Sequence, residues 1–124
     1  MSFVLDTTVL IDVLRGNDDA TAFLHGLEAP PVCSEISRIE VLRGVRSQRR
    51  QTTHRFLAAL EWRTVDHVVA RRAGELGRTW RRNHPGIGTA DLAIAATAEL
   101  SGLPLATSNT EHFPMFDGLE RPYR

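Results

Sequence analysis

Residues 3–14 read FVLDTTVLIDVL, and this stretch decides how the chain folds. Its apolar start predicts a short strand, and the polar residues Asp6, Thr7 and Thr8 can each cap the amphipathic helix that follows. A strand that leads directly into a helix is the unit from which α/β proteins are built. The segments further along the chain show whether this unit repeats.

The rest of the chain continues the alternation of strands and helices. Short apolar runs predict further strands at residues 32–33, 62–65 and 103–107, with an edge segment near Leu119. Helical patterns are predicted at residues 17–27, 34–45, 49–60, 66–82 and 89–100. The last helix is apolar around its whole axis, which is typical of a buried helix. The sequence therefore predicts a single domain over residues 1–124, an α/β layer structure with a mainly parallel sheet.

The composition excludes several classes of protein. All 15 basic residues are arginine, and they balance 15 acidic residues. Without lysine, the chain cannot be a phosphate-loop NTPase, a protein kinase or a Schiff-base enzyme. Cys33 is the one cysteine and the histidines lack zinc spacing, so we expect neither an internal disulfide nor a zinc site. We also expect no signal peptide, no membrane span and a cytoplasmic location.

The balanced net charge hides a strong segregation along the chain. Residues 38–82 contain 12 arginines and 4 acidic residues, whereas the segments before and after them are net negative. Some of these arginines can pair with Glu75 on a solvated helix. The remainder predict a basic surface for a polyanion beside an acidic pocket. Arg46, Arg49 and Arg50 are the predicted phosphate contacts.

Four polar residues lie where an α/β sheet binds ligands. Asp6 follows the first strand, Asn109 follows the last, and Asp91 is in the first turn of the apolar helix. Glu40 lies at the edge of the apolar arc of its helix. Ligands of such sheets bind outside the carboxyl ends of the strands. Three carboxylates without histidine suit Mg²⁺ or Mn²⁺, so Asp6, Glu40 and Asp91 are the predicted metal ligands.

Each carboxylate also has a purely structural interpretation. Asp6 could serve only as a helix N-cap. Asp91 could only complement the helix N-terminus, with Thr89 as the N-cap. Glu40 could close a capping box that begins at Ser37. Sequence spacing leaves these alternatives open.

Four motifs carry a resemblance that covers nearly the whole chain. In order, they are residues 3–12 (FVLDTTVLID), 37–44 (SRIEVLRG), 89–96 (TADLAIAA) and 105–113 (LATSNTEHF). Together they resemble the PIN domain of VapC-type toxins. The resemblance implies a three-layer α/β/α fold, a magnesium-dependent endoribonuclease, a homodimer and a VapB-type antitoxin partner. It places Asp6, Glu40 and Asp91 on the acidic active-site residues of that family.

The chain departs from the family pattern at two positions. Thr8 occupies a position where asparagine or serine is common, and Asn109 occupies one where many PIN domains have a fourth acidic residue. Asn109 can still ligate a metal or its water through its carbonyl, and Glu111 could supply the missing charge.

The implied mechanism is hydrolysis of an RNA phosphodiester by a metal-activated water, with Asp6 and Asp91 holding the ion and Glu40 completing the site. Two alternatives remain at this stage: a non-catalytic RNA- or protein-binding module, and a metal-dependent DNA nuclease.

Overall fold

The centre of the fold is a four-stranded parallel sheet. The computed structural model describes residues 2–124. The strands are β1 (Val4–Leu5), β2 (Val32–Ser34), β3 (Glu61–Arg63) and β4 (Leu105–Ala106). They lie in the order β3-β2-β1-β4, and every neighbouring pair is parallel. The predicted parallel sheet is confirmed.

Every predicted helix is present, with ends within two residues of the prediction. The helices are α1 (Thr7–Leu14), α2 (Asp18–His25), α3 (Glu35–Arg43), α4 (Arg50–Ala58), α5 (His67–Trp80) and α6 (Thr89–Ser101), with 3₁₀ turns at Ser47–Arg49 and Thr110–His112. Helix α6 ends at Gly102, whose φ of 66° lies in the left-handed region that glycine tolerates.

Helices cover both faces of the sheet. Side chains alternate between the two faces of a strand, so Val4 and Leu5 point in opposite directions. Val4 belongs to one buried cluster together with its register partners Val32 and Leu105 and with residues of α5 and α6. Leu5 belongs to a second cluster with residues of α1 and α4. These two cores make three layers, which confirms the α/β/α architecture.

Helix α6 is the most deeply buried helix. Its residues from Leu92 to Ala98 are all buried, and they pack against Val69 and Leu76 of α5 as well as the sheet. This burial confirms the interpretation of its all-round apolar pattern, and it fixes the N-terminus of α6 where Asp91 lies. No helix within residues 2–124, α6 included, has the length and apolar character needed to span a membrane.

The C-terminal tail is the place where the prediction was wrong. An edge strand was predicted near Leu119, but residues 113–124 contain turns and no strand. Leu119 is apolar because it packs against the core cluster of α5 and α6. The tail is held by side chains: the Tyr123 hydroxyl donates to Asp12 Oδ2 at 2.6 Å, and its ring lies 6.0 Å from that of Phe23. Backbone pairing is not needed to anchor it.

The single cysteine has a packing role. Cys33 lies in β2 and is fully buried, as the apolar run around it predicted. Burial raises the pKa of its thiol to about 12, so the group stays protonated and unreactive at neutral pH.

Candidate active site

Asp6 lies at the carboxyl end of β1, where α1 begins. Its Oδ1 accepts a hydrogen bond from the Thr7 amide at 2.8 Å, which makes Asp6 the N-cap of α1. Its Oδ2 accepts from the hydroxyls of Thr8 at 2.9 Å and Thr107 at 2.7 Å. The side chain is almost fully buried. The capping role is real, but it uses only one of the two carboxylate oxygens.

The surroundings of Asp6 make its negative charge costly. Burial raises the pKa of this carboxyl above its usual value, and the nearby carboxylate of Asp91 raises it further. Hydrogen bonds from Thr107, Thr8 and Thr7 lower the pKa, but the net change is upward. A cation placed between Asp6 and Asp91 would relieve both the burial cost and the repulsion between the two carboxylates.

Thr7 connects Asp6 to Glu40. Its amide donates to Asp6, and its hydroxyl oxygen lies 2.6 Å from Glu40 Oε1 and 2.8 Å from Ser37 Oγ. A hydroxyl has one proton and an ionised carboxylate can only accept, so Thr7 donates to Glu40 and accepts from Ser37. One residue of α1 therefore orients two of the three predicted carboxylates.

Glu40 lies inside α3 and has no capping role. The N-cap of α3 is Ser34, whose hydroxyl accepts from the Ile36 amide at 3.2 Å, so the proposed capping box at Ser37 is wrong. The helix begins three residues earlier than that box requires. Glu40 uses Oε1 for Thr7, and its Oε2 lies 3.8 Å from a guanidinium nitrogen of Arg43.

Asp91 combines a helix-terminal contact with one to a histidine. Its Oδ2 accepts from the Gly88 amide at 2.8 Å and lies 3.1 Å from His112 Nδ1. The N-cap is Gly88, which corrects the predicted Thr89. Because glycine has no side chain to cap the helix, the carboxylate of Asp91 reaches back to the first amide instead. The structural interpretation of Asp91 is therefore correct in part, but it leaves the histidine contact unexplained.

Asn109 and His112 extend the site beyond the three carboxylates. His112 Nδ1 lies 2.9 Å from the side-chain amide nitrogen of Asn109, in addition to its contact with Asp91. The backbone amide of Asn109 donates to Thr107 Oγ1 at 2.9 Å, and because Thr107 also bonds Asp6, this contact ties the loop to Asp6. Glu111 is exposed, so the neighbour of Asp91 in this turn is His112 rather than the acidic residue considered as a substitute.

The donor set fits a hard divalent cation, although it is not a finished cage. Within residues 2–124, no three acidic, histidine or cysteine side chains converge closely enough to enclose a metal. Mg²⁺ does not require such a cage, because it usually keeps several waters and binds one or two carboxylates together with substrate phosphates. Asp6 and Asp91 provide two interacting carboxylates, and Glu40 is joined to Asp6 through Thr7.

Comparison with known proteins identifies the family. A family model described as the PIN domain matches residues 3–119. The chain is a PIN domain. It is 40% identical over 122 residues to ribonuclease VapC10 of Mycobacterium tuberculosis, covering 97% of this chain and 92% of that protein. Ribonuclease VapC19 of the same organism is 39% identical over 125 residues, covering 97% and 98%. This PIN domain therefore belongs with the VapC ribonucleases.

A solved structure agrees with the fold of this PIN domain. A toxin–antitoxin complex from Klebsiella pneumoniae contains a chain that superposes with a TM-score of 0.85 at 28% identity. The alignment covers 98% of both chains. The similarity therefore extends over the whole α/β/α domain, including the edge of the sheet that carries the carboxylates.

The predicted phosphate contacts lie on one exposed surface of this PIN domain. Arg46, Arg49 and Arg50 are all exposed in and around the turn between α3 and α4. Arg49 donates to the Leu14 carbonyl at 3.1 Å, at the end of α1 that is about 12 Å from Asp6 by helix length. Arg50 lines a shallow groove of about 460 Å³ together with Ser47, Gln48, Gln51 and His54. None of the three contacts a site carboxylate in the described residues.

Sequence reasoning missed the residues that orient the carboxylates. Thr7 and Thr8 were treated as caps, and Thr107 and Ser37 were given no role at the site. A signal for Thr107 was available: Leu5 pairs with Ala106, so the residues that follow them, Asp6 and Thr107, end adjacent strands side by side. The contact of His112 with Asp91 gave no comparable signal, because it depends on how the turn at residues 110–112 meets the start of α6.

Proposed function

We propose that this PIN domain is a magnesium-dependent endoribonuclease and the toxin of a type II toxin–antitoxin pair. One observation carries the proposal: Thr7 joins the buried Asp6 to Glu40 at the edge of the sheet where Asp91 also lies. A domain that only bound a partner would gain nothing from keeping repelling carboxylates together in this way. The ribonuclease names of the VapC relatives support the choice of reaction.

Asp6 and Asp91 would hold the cation, and Glu40 would complete the site. A divalent cation bound there supplies positive charge beside the scissile phosphate and favours deprotonation of the attacking water. Mn²⁺ could replace Mg²⁺, since both accept oxygen ligands. Thr107 and Thr8 keep Asp6 fixed by bonding the oxygen that faces away from the helix cap.

Glu40 orients the attacking water and accepts its proton. The Thr7 hydroxyl bonds Oε1, which fixes the plane of the carboxylate and leaves Oε2 for the water. Because Glu40 is about three-quarters buried, the low dielectric strengthens such a bond. Asn109 would act through His112: its side-chain amide nitrogen lies 2.9 Å from His112 Nδ1, and the same ring nitrogen lies 3.1 Å from Asp91 Oδ2, so the ring limits the space in which the Asp91 carboxylate can turn.

RNA would be gripped by the basic surface between α3 and α4. Arg46 and Arg50 are exposed and have no ion pair within residues 2–124, so their guanidinium groups can bind phosphate. Arg49 has one donor engaged with Leu14, and its other donors stay available. The net positive charge of residues 38–82 agrees with this assignment.

The proposed protein partners are a VapB-type antitoxin and a second copy of the chain. The Klebsiella pneumoniae structure, similar over the whole chain, is a toxin–antitoxin complex. Ile39 precedes Glu40 on α3 and is 61% exposed, so it offers one apolar contact that an antitoxin segment could cover. The pair would act in the cytoplasm, where RNA and reduced thiols are found.

The test is a cleavage assay with matched variants. Purified protein is incubated with single-stranded RNA or DNA, in Mg²⁺, in Mn²⁺ or in chelator. We expect RNA cleavage with either metal, none in chelator, and none by Asp6→Asn or Asp91→Asn. Glu35→Gln serves as the control, since Glu35 lies on α3 but pairs with Arg38 away from the carboxylates.

Each other outcome rejects a defined part of the proposal. Cleavage of DNA alone would favour the DNA nuclease. Intact RNA under all conditions would favour a binding module, and full cleavage in chelator would remove the metal from the mechanism. Cleavage that persists after adding a saturating amount of the antitoxin encoded beside this gene would reject the toxin–antitoxin pairing.

A further inference from the structure

Helix α3 carries two glutamate–arginine pairs with the same spacing. Glu35 pairs with Arg38, and Glu40 pairs with Arg43, each arginine three residues after its glutamate. The two pairs share a helix and a chemistry, so differences between them come from their surroundings.

The first pair is closed. Arg38 Nε donates to Glu35 Oε1 at 2.6 Å and its Nη2 donates to Oε2 at 3.3 Å. The same guanidinium lies 4.0 Å from the centre of the Trp62 ring. Two hydrogen bonds and a ring contact use both the edge and the face of the guanidinium. Arg38 therefore has little capacity for another ligand.

The second pair is open. Arg43 Nη2 lies 3.8 Å from Glu40 Oε2, which is beyond hydrogen-bonding distance. The Arg43 side chain is 72% exposed, and no hydrogen bond of its guanidinium occurs within residues 2–124. Electrostatic attraction through solvent keeps the guanidinium near Glu40, and exposed ion pairs of this kind contribute little to the free energy of folding. All five N–H donors of Arg43 remain available.

The position of Arg43 makes this free guanidinium relevant to RNA. Arg43 is the last residue of α3, between Glu40 and the basic surface that begins at Arg46. Of the ion pairs within residues 2–124, only that of Arg43 joins an arginine to one of the three site carboxylates. Within residues 2–124, Arg43 is therefore the arginine whose guanidinium lies within 4 Å of a site carboxylate, where it could also reach a phosphate bound there.

A phosphodiester is a better partner for Arg43 than Glu40 is. A phosphodiester offers two oxygens that match the guanidinium fork, whereas Glu40 offers one distant oxygen because Thr7 engages the other. We propose that Arg43 binds the RNA phosphate at the candidate active site and is held beside Glu40 until RNA arrives. This inference rests on the proposed function for the nature of the substrate.

The experiment measures RNA binding without cleavage. A fluorescent single-stranded RNA is titrated with protein in chelator at several salt concentrations, and the slope of log affinity against log salt is compared among variants. Loss of one phosphate contact should reduce the slope by about 0.7 and the affinity about eightfold at ~50 mM salt. We expect this for Arg43→Ala and not for Arg38→Ala. Arg43→Lys should keep the slope, because it keeps the charge, with weaker binding than wild type.

A double-variant cycle tests the link to Glu40. Glu40→Gln should free Arg43 and strengthen RNA binding in chelator, and Arg43→Ala should cost more in that background than in wild type. Glu35→Gln is the matched control and should leave the effect of Arg43→Ala unchanged. Should Arg38→Ala unfold, the exposed Arg78→Ala on α5 replaces it as the charge control.

Three outcomes would overturn the inference: an unchanged slope for Arg43→Ala, an equal loss for Arg38→Ala or its substitute, or no RNA binding by the wild type. The proposed function fails separately. If RNA is never cleaved but Arg43→Ala still lowers the slope, the phosphate contact stands and the nuclease does not. If the wild type cleaves and Arg43→Ala binds normally, the nuclease stands and the contact does not.

Discussion

Asp6 and Asp91, two carboxylates of the candidate site, have different surroundings. Asp6 is 3% exposed and accepts three hydrogen bonds from Thr7, Thr8 and Thr107. Asp91 has a side chain that is 20% exposed and contacts the Gly88 amide and His112 with one oxygen. The first carboxylate is held by three hydrogen bonds in the core, and the second lies at a helix N-terminus where solvent reaches it.

The difference shows how the site divides its work. A carboxylate held by hydroxyls in the core keeps its position without a metal, at the cost of a raised pKa. A partly exposed carboxylate at a helix N-terminus stays accessible to an arriving cation and substrate. Under the proposed function, Asp6 would set the position of the metal, and Asp91 would bind the metal from the accessible side.

The largest expected effect tests whether Asp6 and Asp91 act as a unit. Asp6→Asn and Asp91→Asn should each reduce RNA cleavage about 10²–10⁴-fold. The double variant should lose no more activity than the less active of the two single variants, because the effects of groups that act together are not additive. Initial rates at saturating Mg²⁺ measure this. Losses that multiply in the double variant would mean that the two carboxylates act independently.

A smaller effect is expected from removing the Thr107 hydroxyl, which holds the buried carboxylate of Asp6. Thr107→Val keeps the shape of the side chain and removes its bonds to Asp6 and to the Asn109 amide, so cleavage should fall about 10–100-fold. Thr97→Val is the control, since Thr97 is buried in α6 and bonds the Ala93 carbonyl. Equal rates for the two variants would contradict the orienting role of Thr107.

Asp91, the less buried of the two carboxylates, should depend less on its neighbour His112. His112→Ala removes one close polar contact of Asp91, and we expect cleavage to fall about 2–10-fold, a loss of the size that one polar contact contributes. His84→Ala is the matched control, because the His84 ring contacts the Trp80 carbonyl instead. A loss as large as that of Asp91→Asn would show that His112 takes part in the reaction directly.

The smallest effect is on the stability of the metal-free protein. The raised pKa means that the folded state holds the Asp6 proton more tightly than the unfolded state. This contribution to stability is complete below the unfolded pKa near 4 and is lost as the pH rises through the folded pKa. The melting temperature of the wild type in chelator should therefore fall relative to that of Asp6→Asn as the pH rises above about 4. Parallel pH profiles would contradict the raised pKa.

Much of the fold could be predicted because its signals are local. Apolar runs and capping residues located β1, β2 and β4, and the apolar character of α6 predicted its burial. The error at Leu119 has a physical reason: an apolar residue that packs against a core has the same local pattern as one in an edge strand. Only the contacts of the tail distinguish the two cases.

The sequence predicted the carboxylates of the candidate site but not the residues that contact them. Asp6 and Asp91 follow elements whose direction the sequence indicates, so their meeting at one edge follows from the parallel sheet. The contact of His112 with Asp91 and the bond from Thr7 to Glu40 join residues 21 and 33 positions apart. Their distances depend on loop paths and side-chain rotamers, which the sequence pattern does not report.

The sequence by itself determined the α/β layers, the three carboxylates and the arginine-rich middle, because periodicity, capping and charge are properties of neighbouring residues. The tertiary structure decided which groups those residues meet. It gave Asp6 its hydroxyl partners and gave Glu40 a hydrogen bond from Thr7 in place of a capping role. It also left the guanidinium of Arg43 without a hydrogen bond within residues 2–124, while that of Arg38 packs against Trp62. Hydrogen bonds and ion pairs depend on ångström distances between segments far apart in the chain, and folding alone sets those distances.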